Sequence, residues 1–428
     1  MEMGKRVLVL NCGTLASTDI NMALRYNNEF EVWGASTIKN HGVYVYKHYI
    51  DDIPNMKAPN FIKVLNKKIE EYNFKFIIPT HEDLALFLQK NKSKINAVVV
   101  CSNYNTALLC RYKSKTYKKL QNYNFIPKIF NKNEIKKSNF TVFVKKDTDQ
   151  GARHAYLVTN KEELNLYAKD DDMLVLEYLP GDEVTVDCFT NKDRKLLFCN
   201  PRAADRILAG IDVHSRRITL TDEIKYIADS INKEIEFRGF WFFQIKKDKD
   251  GKFKLLEIST RLPGAFSLSR CLDVNLPYLA LKDFDMQDVE ISFNNIQIEA
   301  DKQFFGKYNL DINYNKVYID FETSFESLEN VNAFLMLFLY QCTNKKIKLY
   351  LLVQNKENAV NFLNKNKISI NLFDDIKDIK REKIKNILTE NSILISNDDN
   401  LKNKIRKYNN KLYCFSNNII ESLIDWRA

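Results

Sequence analysis

Residues Lys254–Ser269 read KLLEISTRLPGAFSLS. An apolar strand, Leu255–Ile258, carries a single acid, Glu257, and gives way to Ser259, Thr260, Arg261 and a Pro263–Gly264 turn. A glutamate and an arginine at the mouth of a buried strand have two readings. One is a salt bridge that closes the strand end. The other is that Glu257 holds a metal ion while Arg261 reaches the anionic ligand of that ion. The preceding residues bear on the choice: FRGFWFFQIKKDKDGKFKLLEISTR is a β-hairpin turning at Asp248–Gly251, with Gln244 and Glu257 near its paired ends. A hairpin with an oxygen donor on each strand can offer both to one hard cation, and magnesium completes its shell with water and phosphate.

Working outward, TVFVKKDTDQGARHAYLV is a strand carrying Lys145, a polar loop with Gly151 and Arg153, and a second strand. Such a hairpin can lay backbone amides and basic side chains over phosphates. DMLVLEYLPGDEVTVDCFT runs an apolar strand to Glu177, turns at Pro180–Gly181 and resumes as an alternating strand. There Glu183, Thr185 and Asp187 share one face by the two-residue period, as a solvent face or as part of a site. PRAADRILAGIDVHSRRIT then supplies Arg202, Arg206, Arg216 and Arg217.

The amino-terminal stretch alternates strand and helix: RVLVLNCG, a helix starting at NMALRY, then FEVWGAST, and later FKFIIPTHEDLALFL with its strand ending at Pro79. This predicts a parallel α/β sheet over roughly the first 105 residues. The turn NCGTLAST has one glycine and does not match the dinucleotide fingerprint, so no nicotinamide cofactor follows from it. From Tyr104 to about Asp285 short strands and acidic turns dominate, and a third region begins near Asp301. That region contains only Gly306 and no proline, and again alternates strand (KVYIDFE, KLYLLVQ, SILIS, KLYCFS) with helix.

The order and spacing of these segments resemble the ATP-grasp superfamily, especially the branch similar to the carbamoyl phosphate synthetase large subunit and the carboxylate–amine ligases. The resemblance covers about residues 5–285. RYKSKTYKKLQNYNFIP resembles the family's opening helix, with Lys113 at its nucleotide-binding basic position, and VFVKK resembles the strand whose lysine, here Lys145, contacts the ATP phosphates. Gly151 and Arg153 fall in the corresponding phosphate loop, which is poorer in glycine than in many relatives. LVLEYLPGDEVTVD is similar to the family's hinge: Glu177, Tyr178 and Leu179 would line the adenine and Glu183 would hold the ribose hydroxyls. LLEISTRLPG resembles the metal-and-arginine motif, with Glu257, Gln244 and Ser259 as implied Mg2+ ligands and Arg261 against the γ-phosphate. The family commonly has asparagine where Ser259 stands, which leaves the second magnesium site open. The resemblance implies an acyl phosphate formed from a substrate carboxylate and ATP, then displaced by an amine. Arg202, Arg206 or Arg261 would meet the acceptor carboxylate; the alternative for Arg202 and Arg206 is a solvated helix face.

KVYIDFETSFESL resembles the first motif of the haloacid dehalogenase-like phosphatases. Asp320 keeps the nucleophile position, Glu322 replaces the acid/base aspartate, and Ser324 stands last. Val353 and Gln354 occupy the second-motif hydroxyl position, and Ser396 falls where a metal carboxylate belongs, with Asp398 and Asp399 close by. Lys380 or Lys383 is the candidate phosphate lysine. A phosphotransferring aspartate needs a magnesium clamp against like-charge repulsion, so this region is expected to be an inactive member used for docking or dimerisation. IIESLIDWRA reads as an amphipathic terminal helix, with Leu423 and Trp426 closing the core.

The expected fold class is therefore α/β and α+β: a pre-ATP-grasp α/β domain at 1–105, an ATP-grasp domain at 106–290 and a haloacid dehalogenase-like α/β domain at 301–428. The formal charge of +10 is spread over the whole chain and comes without a basic helix or stacking motif, so no nucleic-acid partner is expected. The longest apolar run, Ala333–Tyr340, falls short of the roughly 18 residues of a membrane span; it reads as a buried helix. The amino terminus is not a secretory signal, and eight scattered cysteines fit a reducing, cytoplasmic compartment. The leading expectation is an ATP- and Mg2+-dependent ligase of small-molecule carboxylates and amines, with a homodimer as the favoured assembly. The alternatives are a phosphatase using Asp320 and a non-catalytic nucleotide sensor.

Overall fold

The computed structural model describes residues 4–25, 27–136, 140–149, 154–208, 211–302, 306–308, 310–326, 331–378, 380, 383, 388–408 and 412–427. The chain forms two compact units, Met1–Phe304 and Phe305–Ala428.

The first unit opens with a parallel sheet of β1 (Lys5–Leu10), β2 (Phe30–Ala35), β3 (His48–Ile50), β4 (Phe74–Pro79) and β5 (Val98–Val99), in the order β3-β2-β1-β4-β5. Its strands are continuous apolar runs because α1 (Leu15–Leu24), α2 (Phe61–Tyr72) and α3 (Glu82–Lys90) cover it; Val7, Leu8, Val9, Phe76, Ile77 and Ile78 are fully buried. Helix α1 begins at Leu15, six residues ahead of the expected start at Asn21, because the Thr14 side chain accepts from Ser17 N and caps it there.

Helices α4 (Tyr104–Arg111) and α5 (Lys113–Lys119) lead into a four-stranded antiparallel sheet: β6 (Ile129–Phe130), β7 (Val142–Lys146), β8 (Ala155–Val158) and β9 (Met173–Glu177), with α6 (Lys161–Tyr167) between β8 and β9. The large sheet follows, ordered β14-β13-β10-β11-β12-β15. Its strands are β10 (Glu183–Thr190), β11 (Leu196–Leu208), β12 (Ile211–Arg217), β13 (Gly239–Lys247), β14 (Phe253–Ser259) and β15 (Glu299–Asp301). Helix α7 (Asp222–Glu234) packs Ile224, Ile227 and Ile231 with Val186, Trp241 and Phe243 of this sheet, while α8 (Ser267–Cys271) and α9 (Leu276–Phe284) complete the unit. Strand β15 pairs with β12 through His214, Ser215 and Arg216, so the first unit's sheet runs past residue 290, to Asp301.

The second unit is a parallel sheet, β18-β17-β16-β19-β20, built from β16 (Lys316–Asp320), β17 (Lys348–Val353), β18 (Asp375–Asp378), β19 (Ser392–Ile395) and β20 (Tyr413–Phe415). Its helices are α10 (Ala333–Asn344), α11 (Lys356–Lys365) and α12 (Asp399–Tyr408). Two expectations are corrected here. Helix α10 is buried on one side only: Leu335, Phe338, Leu339 and Cys342 enter the core, whereas Phe334, Leu337 and Tyr340 are at least 40% exposed. A helix lying on a sheet buries one stripe, whatever its composition. The terminal segment is not an α-helix but a 3-10 turn, Asn417–Leu423. Asp425 is drawn into tertiary contacts instead, its amide donating to Gln341 and its carboxylate pairing with Lys345 and Arg427.

All eight cysteines are free thiols. Among the described residues no helix is long and apolar enough to cross a membrane.

Candidate active site

Strand register builds the site's floor. Arg217 of β12, Arg202 of β11, Thr185 of β10, Gln244 of β13 and Glu257 of β14 are consecutive partners across the large sheet. The hairpin places Gln244 directly opposite Glu257, its turn relaxed by Gly251 at φ +77°. The register slips between Gln244 and Ile245, leaving Leu256 as a bulged residue beside Glu257. A bulge frees a carbonyl from the ladder, and here the Leu256 carbonyl accepts from Tyr117 Oη at 2.7 Å and from Lys145 Nζ at 3.0 Å. The bulge thus ties the large sheet to α5 and to β7.

Helix α5 and the end of β7 are joined as well. Asp147 takes the Ser114 amide and hydroxyl at 2.7 and 2.6 Å. This seats Lys113, whose Nζ donates to the Asp149 carbonyl at 2.7 Å and lies 3.4 Å from Glu257 Oε2. Lys113 and Lys145 are both buried. Burial, with Lys113 adding repulsion, pulls the Lys145 ammonium down from 10.5 to about 7.

These groups open onto one cavity of about 480 Å³, a size suited to a small-molecule ligand. Pro127, Phe143, Leu176, Tyr178 and Leu179 supply apolar lining to it. The Glu177 carboxylate accepts the Lys128 amide at 2.7 Å and so fixes the end of β9. Gly181 follows because a Cβ there would meet Lys247 Cβ at 2.6 Å. Glu183 lines the cavity next, 3.5 Å from Lys246 Nζ; its enclosure raises its carboxyl above the ordinary range, with Lys246 opposing. Gln244 Nε2 donates to Thr185 Oγ1 at 3.3 Å.

The three candidate catalytic arginines separate. Arg261 lines the cavity, its guanidinium 5.2 Å from the Phe242 ring centroid. Arg202 also lines it but is 2% exposed, with Nε 3.3 Å from both oxygens of Asp187 and Nη1 on Asp212. Burial works against its charge, yet the two carboxylates outweigh this and hold Arg202 above its ordinary value; burial pushes Asp187 up, with Arg202 opposing. Arg206 is not a cavity residue: it is exposed and pairs with Asp301. Neither Arg202 nor Arg206 sits on a helix face, since both belong to β11, whose register with β12 is irregular around Arg206.

The candidate metal ligands separate too. Gln244 and Glu257 face the cavity. Ser259 does not line it; it is 2% exposed and donates its hydroxyl to Glu82 Oε1 at 2.6 Å. Among the described residues no cluster of three or more His, Cys, Asp or Glu forms a closed cation cage. An open seat of one amide and one carboxylate fits magnesium, which takes its remaining ligands from phosphate and water. Gly151 and Arg153 lie outside the described residues.

Sequence reasoning missed Glu82, Asp212 and Tyr117. The THED segment at the carboxyl end of parallel strand β4 carried a signal for Glu82, because ligands of open α/β sheets gather there. Nothing local marked Asp212 or Tyr117.

In the second unit Asp320 ends the central strand and is fully buried. Its Oδ2 accepts from Thr323 Oγ1 and Ser396 Oγ, both at 2.7 Å. Glu322 accepts the Gln354 amide at 2.6 Å, and burial, reinforced by nearby Asp320, raises its carboxyl above the ordinary range. Lys380 and Lys383 are exposed.

Residues 169–304 match a protein family described as ATP-grasp in the biosynthetic pathway with Ter operon. Three solved structures share the fold. The biotin carboxylase of Campylobacter jejuni, in a β,γ-ATP complex, is 16% identical with a TM-score of 0.57, covering 67% of this chain and 72% of its own. N5-carboxyaminoimidazole synthetase from Staphylococcus aureus, complexed with ADP, is 15% identical with a TM-score of 0.57, covering 69% and 80%. The L-amino acid ligase of Bacillus licheniformis is 15% identical with a TM-score of 0.53, covering 66% and 75%. No curated protein matches the chain in sequence. The chain thus contains an ATP-grasp fold.

Proposed function

We propose that the first unit is an ATP- and Mg2+-dependent carboxylate–amine ligase that works through an acyl phosphate and releases ADP and phosphate. One observation carries this reading: Lys113, Lys145, Gln244, Glu257 and Arg261 line one cavity together with the apolar residues Leu176, Tyr178 and Leu179. Purine, phosphates and metal need an apolar surface, cations and oxygen donors within one cavity. The apolar residues would take the adenine and Glu183 the ribose hydroxyls. Lys113 and Lys145 would neutralise the phosphates, and Gly151 and Arg153 are assigned to the same task from the sequence alone. Gln244 and Glu257 would hold magnesium, which supplies charge neutralisation on the transferred phosphoryl oxygens.

The substrate carboxylate then attacks the γ-phosphorus, and the bond to the β-phosphate oxygen breaks. Arg261 stabilises charge on the equatorial oxygens. The amine attacks the acyl carbon, phosphate leaves with the C–O pair, and the proton lost by the nitrogen goes to the departing phosphate. Little covalent help from the protein is needed; holding the reactants together supplies most of the acceleration. Because Arg202 is already answered by Asp187 and Asp212, Arg261 is the arginine assigned to the acyl phosphate.

The second unit is proposed to be a haloacid dehalogenase-like domain without phosphatase activity, serving docking or assembly of a cytoplasmic homodimer. What supports its inactivity is Ser396, a hydroxyl donor to Asp320 at the place where such a site requires a metal carboxylate.

The test is ADP release from Mg-ATP with pooled carboxylic acids and amines, using the full chain with Glu257→Ala and Asp320→Asn. Pool-dependent ADP that persists in Asp320→Asn and disappears in Glu257→Ala is the expected result. Phosphate release that disappears only in Asp320→Asn would establish the phosphatase instead. Nucleotide binding without turnover in any pool would favour the sensor.

A further inference from the structure

The serine that departs from the usual metal motif has a specific partner. Glu82 is the first residue of α3, at the carboxyl end of β4, and lies 177 positions from Ser259. Its Oε1 accepts the Ser259 hydroxyl and stands 3.5 Å from Arg261 Nε, while Oε2 is 3.9 Å from Arg111 Nη1. Arg111 is itself anchored on Asp83 at 2.6 Å. Arg261 meets two further restraints, the Phe242 ring and the Leu262 carbonyl, which accepts from Nη1 at 3.0 Å. An arginine side chain has many rotamers, but its guanidinium is a rigid planar fork. With Nε 3.5 Å from the Glu82 carboxylate and Nη1 bonded to the Leu262 carbonyl, the guanidinium of this cavity-lining arginine is restrained from two sides. A donor aimed before the reaction needs no reorganisation during it.

We propose that Glu82 is the positioning residue of Arg261, and that Ser259 is Glu82's hydrogen-bond partner and not a metal ligand. The first sheet, outside the nucleotide cleft's own two sheets, thereby orients the group that meets the transferred phosphoryl. Among the described residues, the metal seat then consists of Gln244 and Glu257 on the protein side.

The inference rests on the ATP reading, and binding measurements separate the two. Calorimetry on the full chain compares Mg-AMPPNP with Mg-ADP, because only the former carries the γ-position that Arg261 faces. Arg261→Gln is expected to reduce the preference for AMPPNP about tenfold, a charge-assisted hydrogen bond's worth. Glu82→Gln is expected to reduce it comparably, and the double variant no further, since one group acts through the other. Mn2+ counted by electron paramagnetic resonance with AMPPNP is expected to be the same in Ser259→Ala as in the parent, and lower in Glu257→Ala. A Glu82→Gln variant that keeps the full preference, with or without a lowered melting temperature, overturns the positioning role, as does an additive double variant. Loss of a bound Mn2+ in Ser259→Ala makes Ser259 a ligand and overturns the second half. Failure of the parent protein to bind either nucleotide overturns the ATP reading, and this inference with it.

Discussion

Two strand ends, each bearing a carboxylate, show how similar local sequences acquire different chemistry. Glu257 lies two residues before the end of an antiparallel hairpin strand, is 21% exposed, and faces a cavity with a lysine 3.4 Å away. Asp320 ends a parallel strand, is fully buried, and is held by two hydroxyls. Both sit where an apolar run meets a turn rich in Ser and Thr. What differs is the company: Glu257 has cations and an open seat, so it can share a metal with an incoming phosphate. Asp320 has two neutral hydroxyl donors and a second acid, Glu322, close by. A buried carboxylate with two donors is a structural element, whereas one opposed by lysine across a cavity is available for exchange.

The comparison breaks most visibly in turnover. Arg261→Ala is expected to lower ligase turnover on the order of 10²-fold, as for other transition-state donors, while Asp320→Asn changes it less than about twofold; initial ADP release rates check both. The next effect is on stability. Asp320→Ala removes the carboxylate to which the Thr323 and Ser396 hydroxyls donate, and is expected to cost the second unit about 1–3 kcal/mol, read from hydrogen exchange of the β16 and β19 amides. A gain in stability would mark Asp320 as a retained functional group under strain.

The smallest effect concerns Lys145, neutral in the fold above about pH 7 and charged in the unfolded chain up to its ordinary 10.5. The unfolded chain therefore binds more protons between those values. Lys145's contribution to stability rises with pH across that window, is complete above 10.5, and is lost as pH falls through about 7. Phosphates beside Lys145 restore its charge, so nucleotide binding at pH 8 should take up about one proton. Calorimetry in buffers of different ionisation enthalpy measures this, and Lys145→Met should abolish it.

Much of this was legible locally. The Gln244–Glu257 hairpin followed from a turn of Asp248–Gly251 between apolar strands, and the shared face of Glu183, Thr185 and Asp187 from the two-residue period. The parallel sheets at each end followed from strand–helix alternation. Arg202 and Arg206 were harder, because four arginines in a polar segment fit an exposed helix as well as a strand. Only the sheet shows that one is sealed between Asp187 and Asp212 while the other remains in solvent.

The sequence by itself determined which strands exist, where they turn and which side chains share a face, because these depend on neighbours within a few residues. The tertiary structure alone decided which charges answer one another. Ser259 turns to Glu82 instead of the metal seat, the Leu256 carbonyl reaches Lys145, and two acids neutralise Arg202. Each of those pairings depends on how separate elements pack, and the energy of a charge in a protein is set by whatever packing brings within a few ångströms of it.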